Sequence, residues 1–95
     1  MNNTIQKFLN THVSEQTMRA YRSDIRSFMS FVGIPLDEVK EEHIVDYRNH
    51  MIKNGSATAS INRALSTIKT FYNWMSAREF VSKNPALLVK KIRTY

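Results

Sequence analysis

Asn62, Arg63, Ser66, Lys69, Thr70 and Asn73 share one side of a helical pattern in "NGSATASINRALSTIKTFYNWM", Asn54 to Met75, a stretch without Asp or Glu. These residue types suit one chemistry. Lys and Arg neutralise phosphates, and short polar side chains reach base edges. Arg63 can contact a guanine edge or a phosphate, and Asn62 an adenine or a phosphate. Lys69, two turns further along, suits a backbone phosphate. Ala57, Ala59 and Ser60 are small, so the helix start allows close approach to a groove, and its free N–H groups attract phosphate. A merely solvated face usually carries Glu among its charges, and no acid occurs from Asn54 to Ala77. Arg19, Arg22 and Arg26 form a second basic stripe, with local pairing to Asp24 as the competing reading.

Other chemistries find no footing. The chain has no G-x-x-x-x-G-K-[ST], H-E-x-x-H or G-x-S-x-G motif. Of the three histidines, His12, His43 and His50, the last two stand two helical turns apart and would need a third ligand, so no metal site is expected. The carboxylates gather in a connection and a helix start, where capping explains them. Tyr95 ends the chain with no pocket around it. We therefore expect no catalytic residue, no metal and no cofactor. The absence of Cys removes disulfides and thiolate sites and makes a reducing intracellular compartment the simplest setting. No apolar run approaches a membrane span, and "MNNTIQKFLNTHV" lacks the pattern of a signal peptide, so no membrane partner is expected.

The elements that must position the basic face are legible in the periodicity. Ninety-five residues suit one small domain, and 2 Gly and 2 Pro point to helices rather than many short strands. A short helix is expected over Asn3–Asn10. Ser14 caps a second helix, in which Met18, Tyr21, Ile25, Phe28, Met29 and Val32 recur at spacings of three and four. Gly33 ends it, and Pro35 prevents resumption. A third helix is expected over Glu41–Lys53, followed by a turn at Asn54-Gly55. The long helix, capped by Ser56 or Thr58, is expected over Ala57–Ala77, with Ile61, Ala64, Leu65, Ile68, Tyr72 and Met75 on its apolar side. "KNPALLVKK" reads as a last short helix with Asn84 as N-cap and Pro85 at its first position. The sum is an all-α chain of four main helices and a short N-terminal fifth, closing one core.

The net charge of +6 is unevenly spread. Residues 1–52 hold six Lys/Arg against seven Asp/Glu, net −1. Residues 53–95 hold eight against one, net +7. Such a field favours nucleic acid or an anionic surface.

Three segments together resemble one family. "SEQTMRAYRSDIRSFMSFV" is similar to the S-x-x-T-x-x-x-Y-x-x-x-[LI]-x-x-F signature of the core-binding domain of tyrosine recombinases and phage integrases. "GSATASINRALSTIKTFYNWM" resembles that domain's last long helix, and "NPALLVKKI" the segment that closes it before a linker. The order and spacing cover nearly the whole chain. The resemblance implies a compact four- to five-helix orthogonal SAM-like bundle over residues 1–89, with 90–95 beginning a basic interdomain linker. It implies half of a clamp around double-stranded DNA at a recombination site. By position, Thr17 and Arg19 would approach the DNA backbone, and Ala59, Ser60, Asn62, Arg63, Ser66 and Lys69 would line the groove-facing helix. Lys90, Lys91 and Arg93 match the linker that crosses the duplex.

The family's catalytic arginines, histidines and tyrosine lie in a second domain that nothing here can host. The chain is therefore expected to bind without cutting, as an excised domain or a truncated gene product. With Met1 as the natural start, the layout is nearer the Xer type than the lambda type. A cytoplasmic, bacterial or phage-encoded protein, on the nucleoid when bound, is the expected setting. Neighbouring recombinase protomers are expected as partners on DNA. The competing function is a helical protein–protein module that self-associates through an apolar surface patch.

Overall fold

The computed structural model describes residues 2–11 and 14–92. The described residues form an all-α bundle: α1 (Asn2–Leu9), α2 (Glu15–Val32), α3 (Glu41–Lys53) and α4 (Thr58–Ala77), with one 3-10 turn at Leu36–Glu38. The molecule measures 35 × 29 × 21 Å. No helix among the described residues is long and apolar enough to cross a membrane.

α4 is the central element. Its Ile61, Ala64, Leu65, Ile68, Phe71, Tyr72 and Met75 are all buried, the side that the apolar periodicity marks out. Ile25 and Phe28 of α2, Ile44 and Tyr47 of α3, and Phe8 and Leu9 of α1 close the core against it. Phe8 sits in an aromatic nest, with ring centroids 5.6 Å from Tyr21, 5.0 Å from Phe71 and 5.6 Å from Trp74. Such offset and tilted arrangements suit the ring quadrupoles. The connection before α3 is anchored from below: the Tyr72 hydroxyl donates to the Leu36 carbonyl at 2.8 Å, both buried.

Helix ends explain where each element stops. The Thr17 N–H donates to Ser14 Oγ at 3.3 Å, the expected N-cap of α2. At its other end Gly33 takes φ 62° and donates to the Met29 carbonyl. α3 starts with a reciprocal pair: the Lys40 N–H donates to His43 Nδ1 at 2.8 Å, and the His43 N–H to the Lys40 carbonyl at 3.0 Å. It ends in a Schellman motif, with Gly55 at φ 77°. The Gly55 N–H donates to Ile52 O and the Ser56 N–H to Met51 O.

Two expectations fail here for local reasons. α4 has Ala57 as its N-cap and no side-chain cap from Ser56 or Thr58. Ser56 closes α3 with its N–H and stands one residue before the N-cap position. Nor is there a helix at "KNPALLVKK": residues 85–88 are turns, with Leu87 N–H to Asn84 O at 3.3 Å and Val89 N–H to Ala86 O at 3.2 Å. Asn84 does act as a cap, its Oδ1 accepting from the Ala86 N–H at 2.9 Å. The seven residues of the segment that follow it are too few to propagate a helix.

Candidate nucleic-acid interface

Lys69, on the outer side of α4, meets Lys90 and Lys91 of the C-terminal segment around a cavity of about 290 Å³. Ile44, Leu65, Ala86 and Val89 complete its wall, so three lysines share an otherwise apolar lining without an acidic residue. All three lysines are exposed. Like charges repel, and nothing within the lining neutralises them. A phosphate would.

The C-terminal segment reaches this place because three side chains hold it. Asn84 Nδ2 donates to the Lys69 carbonyl at 3.1 Å. Arg48 Nη1, from α3, donates to the Lys90 carbonyl at 2.8 Å. Asn62 pairs with both backbone groups of Ile92, donating through Nδ2 at 2.9 Å and accepting through Oδ1 at 2.8 Å. The segment thus runs back along α4, from Lys69 toward Asn62. Ala86 is buried, and Val89 and Ile92 pack on the core beneath it.

Arg63 is engaged as well. Its Nη2 lies 2.9 Å and its Nε 3.3 Å from the two oxygens of Asp24, a fork-on-carboxylate pair. Asp24 is only 5% exposed, and the buried Thr67 hydroxyl donates to its Oδ2 at 2.8 Å. Hydrogen bonding to Asp24, then its charge, raises the Arg63 pKa further above the ordinary arginine value. Asp24 therefore pairs across to α4, not locally with the arginine stripe. The acid missing from the α4 sequence is supplied by α2. The Arg63 side chain stays 58% exposed, and Nη1 has no partner among the described residues.

The other candidates fall in two places. Ala59 and Ser60 are exposed in the uncapped first turn of α4, and Ser66 is half-buried between Asn62 and Lys69. Thr17 and Arg19 lie on α2, apart from the lysine cavity. Arg19 makes only a long 3.9 Å contact to Glu15. It lines a separate cleft of about 340 Å³ with Arg22, Ser23, Arg26 and Ser27. Arg93 lies outside the described residues. Arg48 carried no sequence signal, because its partner stands 42 residues away.

Comparison with known proteins places the chain in a family. The family described as phage integrase, N-terminal SAM-like domain, matches residues 5–79. The tyrosine recombinase XerC of Thermodesulfovibrio yellowstonii is 29% identical over 80 residues, covering 84% of this chain and 27% of that protein. The tyrosine recombinase XerD of Staphylococcus epidermidis is 25% identical over 99 residues, covering 95% of this chain and 34% of that protein. The chain thus spans about a third or less of these relatives. The crystal structure of a lambda integrase (75–356) dimer bound to a COC′ core site superposes with a TM-score of 0.81 at 16% identity, over 100% of this chain and 35% of that one. At that identity the likeness speaks for the fold. By its match over most of its length, the chain belongs to the phage integrase N-terminal SAM-like domain family of the tyrosine recombinases.

Proposed function

We propose that this chain grips double-stranded DNA at a recombination site, as the core-binding part of a tyrosine recombinase and one half of a clamp. The observation that carries this reading is the gathering of Lys69, Lys90 and Lys91 around one cavity with no acid in its lining. The uncapped start of α4, with Ala59 and Ser60 exposed, offers further N–H donors to a phosphate. Arg19, with Arg22 and Arg26, gives a second phosphate-binding track beyond Thr17. The domain occupies 1–89, with 90–95 leading toward the rest of a recombinase. Cutting belongs to residues outside this chain.

Binding of duplex DNA at rising salt is the test. Affinity should fall linearly on a log–log plot, with a slope of about −0.9 for each phosphate neutralised. Affinity that ignores salt, or no binding at low salt, overturns the reading.

A second reading has its own observation. Leu87 and Leu88 are 57% and 75% exposed beside a cleft of about 640 Å³ that Leu36, Val39, Val81 and Pro85 also line. Contact between protomers through this patch would give salt-tolerant self-association. Analytical ultracentrifugation with and without DNA separates the two readings.

A further inference from the structure

We propose that Asn62 and Arg48 are positioning residues: they strap the C-terminal segment to the bundle and so place Lys90 and Lys91 beside Lys69. The first half of this proposal is independent of DNA, and the second rests on the DNA-binding reading above.

The geometry of Asn62 sets its role. A carboxamide reads adenine by presenting one donor and one acceptor side by side. Here Nδ2 and Oδ1 present that same pair to the peptide of Ile92, at 2.9 and 2.8 Å. Only one orientation of the amide fits, since the Ile92 N–H must donate to oxygen and the Ile92 carbonyl must accept from nitrogen. While the strap is closed, the two atoms that would read a base are spent. Arg48 acts two residues earlier, its guanidinium on the Lys90 carbonyl at 2.8 Å. Between them Lys91 is flanked by two tethered peptide units.

The strap substitutes for missing secondary structure. Residues 89–92 belong to no helix or strand, and side chains satisfy the Lys90 carbonyl and both backbone groups of Ile92. Val89 and Ile92 pack inward on the core, while Lys90 and Lys91 stay exposed between them. Without the tethers, chain entropy would spread the two ammonium groups over many positions. With them, both charges stand ready beside Lys69 before any anion arrives. Residues 90–92, the start of the proposed linker, thus lie along the edge of the bundle.

The experiment combines exchange with binding on the 95-residue chain. In Asn62→Ala, the Ile92 amide should lose its protection against hydrogen exchange while α4 amides keep theirs. Affinity for duplex DNA should fall about tenfold, and the salt slope should shrink by one to two. In a double-mutant cycle with Lys90→Ala/Lys91→Ala, the Asn62→Ala effect should vanish, because the strap then has no charge to place. Ile92 protection unchanged in Asn62→Ala overturns the strap. Additive losses in the cycle overturn the positioning role and return Asn62 to direct contact with DNA. If the unmutated chain binds no duplex at low salt, the DNA-binding half falls while the exchange result still decides the strap. Should Asn62→Ala lose helicity, Arg48→Lys keeps the charge while shortening the reach. It should likewise weaken protection of the Ile92 amide and give the same non-additivity, and full protection with unchanged binding refutes the proposal.

Discussion

The α4 face looks acid-free only when one helix is read at a time. Asp24 arrives from α2, 39 residues earlier, and occupies Arg63 through two nitrogens. Arg63 and Lys69 should therefore respond differently to truncation. Arg63→Ala leaves a buried carboxylate with the Thr67 hydroxyl as its remaining partner, so stability should fall by about 1–3 kcal/mol, the lower end reflecting the solvent-screened guanidinium. Lys69→Ala is exposed and should stay within about 0.5 kcal/mol while weakening DNA binding. Urea unfolding of both variants checks this, and equal stabilities would show the Asp24 pair to be idle. Tyr72 allows a pH test. Burial, then the Asp37 charge, pushes its phenol well above the ordinary tyrosine range, so the fold holds the proton that the unfolded chain releases near pH 10. Above that pH the unfolded state binds fewer protons than the folded state, and stability must fall as pH rises. Tyr72→Phe should flatten this alkaline decline and cost about 1 kcal/mol at neutral pH, through loss of the buried bond to the Leu36 carbonyl, which keeps only the Val39 N–H at 3.4 Å. Tyr47, whose pKa is also raised, should retain a smaller decline. Unfolding midpoints from pH 8 to 11 check both points.

The helices themselves were largely legible, because apolar spacing and glycine stops are local signals. Gly33 and Gly55 end α2 and α3 in left-handed conformations, as their positions imply. The end of α4 carries the same motif without its usual residue. The Glu79 N–H donates to Ser76 O and the Phe80 N–H to Met75 O, a Schellman closure with Glu79 at φ 60°. Phe80 completes it by meeting Trp74, with ring centroids 5.6 Å apart. A glutamate gives no stop signal, so only the pattern of bonds reveals the cap. The conformation costs a side chain about 1 kcal/mol that Gly avoids. Glu79→Gly should therefore stabilise the bundle by about 1 kcal/mol, raising Tm by roughly 4–8 °C for a domain of this size. Gly33→Ala should lower stability by a similar amount, since an added Cβ at Gly33 meets no atom and only backbone strain remains. Calorimetry in high salt, which mutes the charge change at Glu79, tests both signs, and a fall for Glu79→Gly would contradict this account.

At the scale of the whole molecule, fold class and charge asymmetry were both readable in advance, but the place where charge concentrates was not. Lys69 stands 21 residues from Lys90, and their meeting depends on Asn84, Arg48 and Asn62, whose bonds span 15 to 42 positions. No periodicity encodes such contacts. The asymmetry then becomes a prediction about where DNA sits. If the lysine cavity binds, removing a charge there should alter the salt dependence, and removing one away from both it and the arginine track of α2 should not. Lys69→Ala, Lys90→Ala and Lys91→Ala should each reduce the log–log slope by about 0.9. Lys7→Ala on α1 removes the same charge from an exposed site and should leave the slope unchanged. All four side chains are exposed, so folding should be preserved throughout. Fluorescence anisotropy with one duplex, from 50 to 200 mM salt, gives all four slopes. Equal changes for Lys7→Ala and Lys90→Ala would mean that DNA feels only net charge. A difference confined to the three lysines would locate phosphate in their shared cavity.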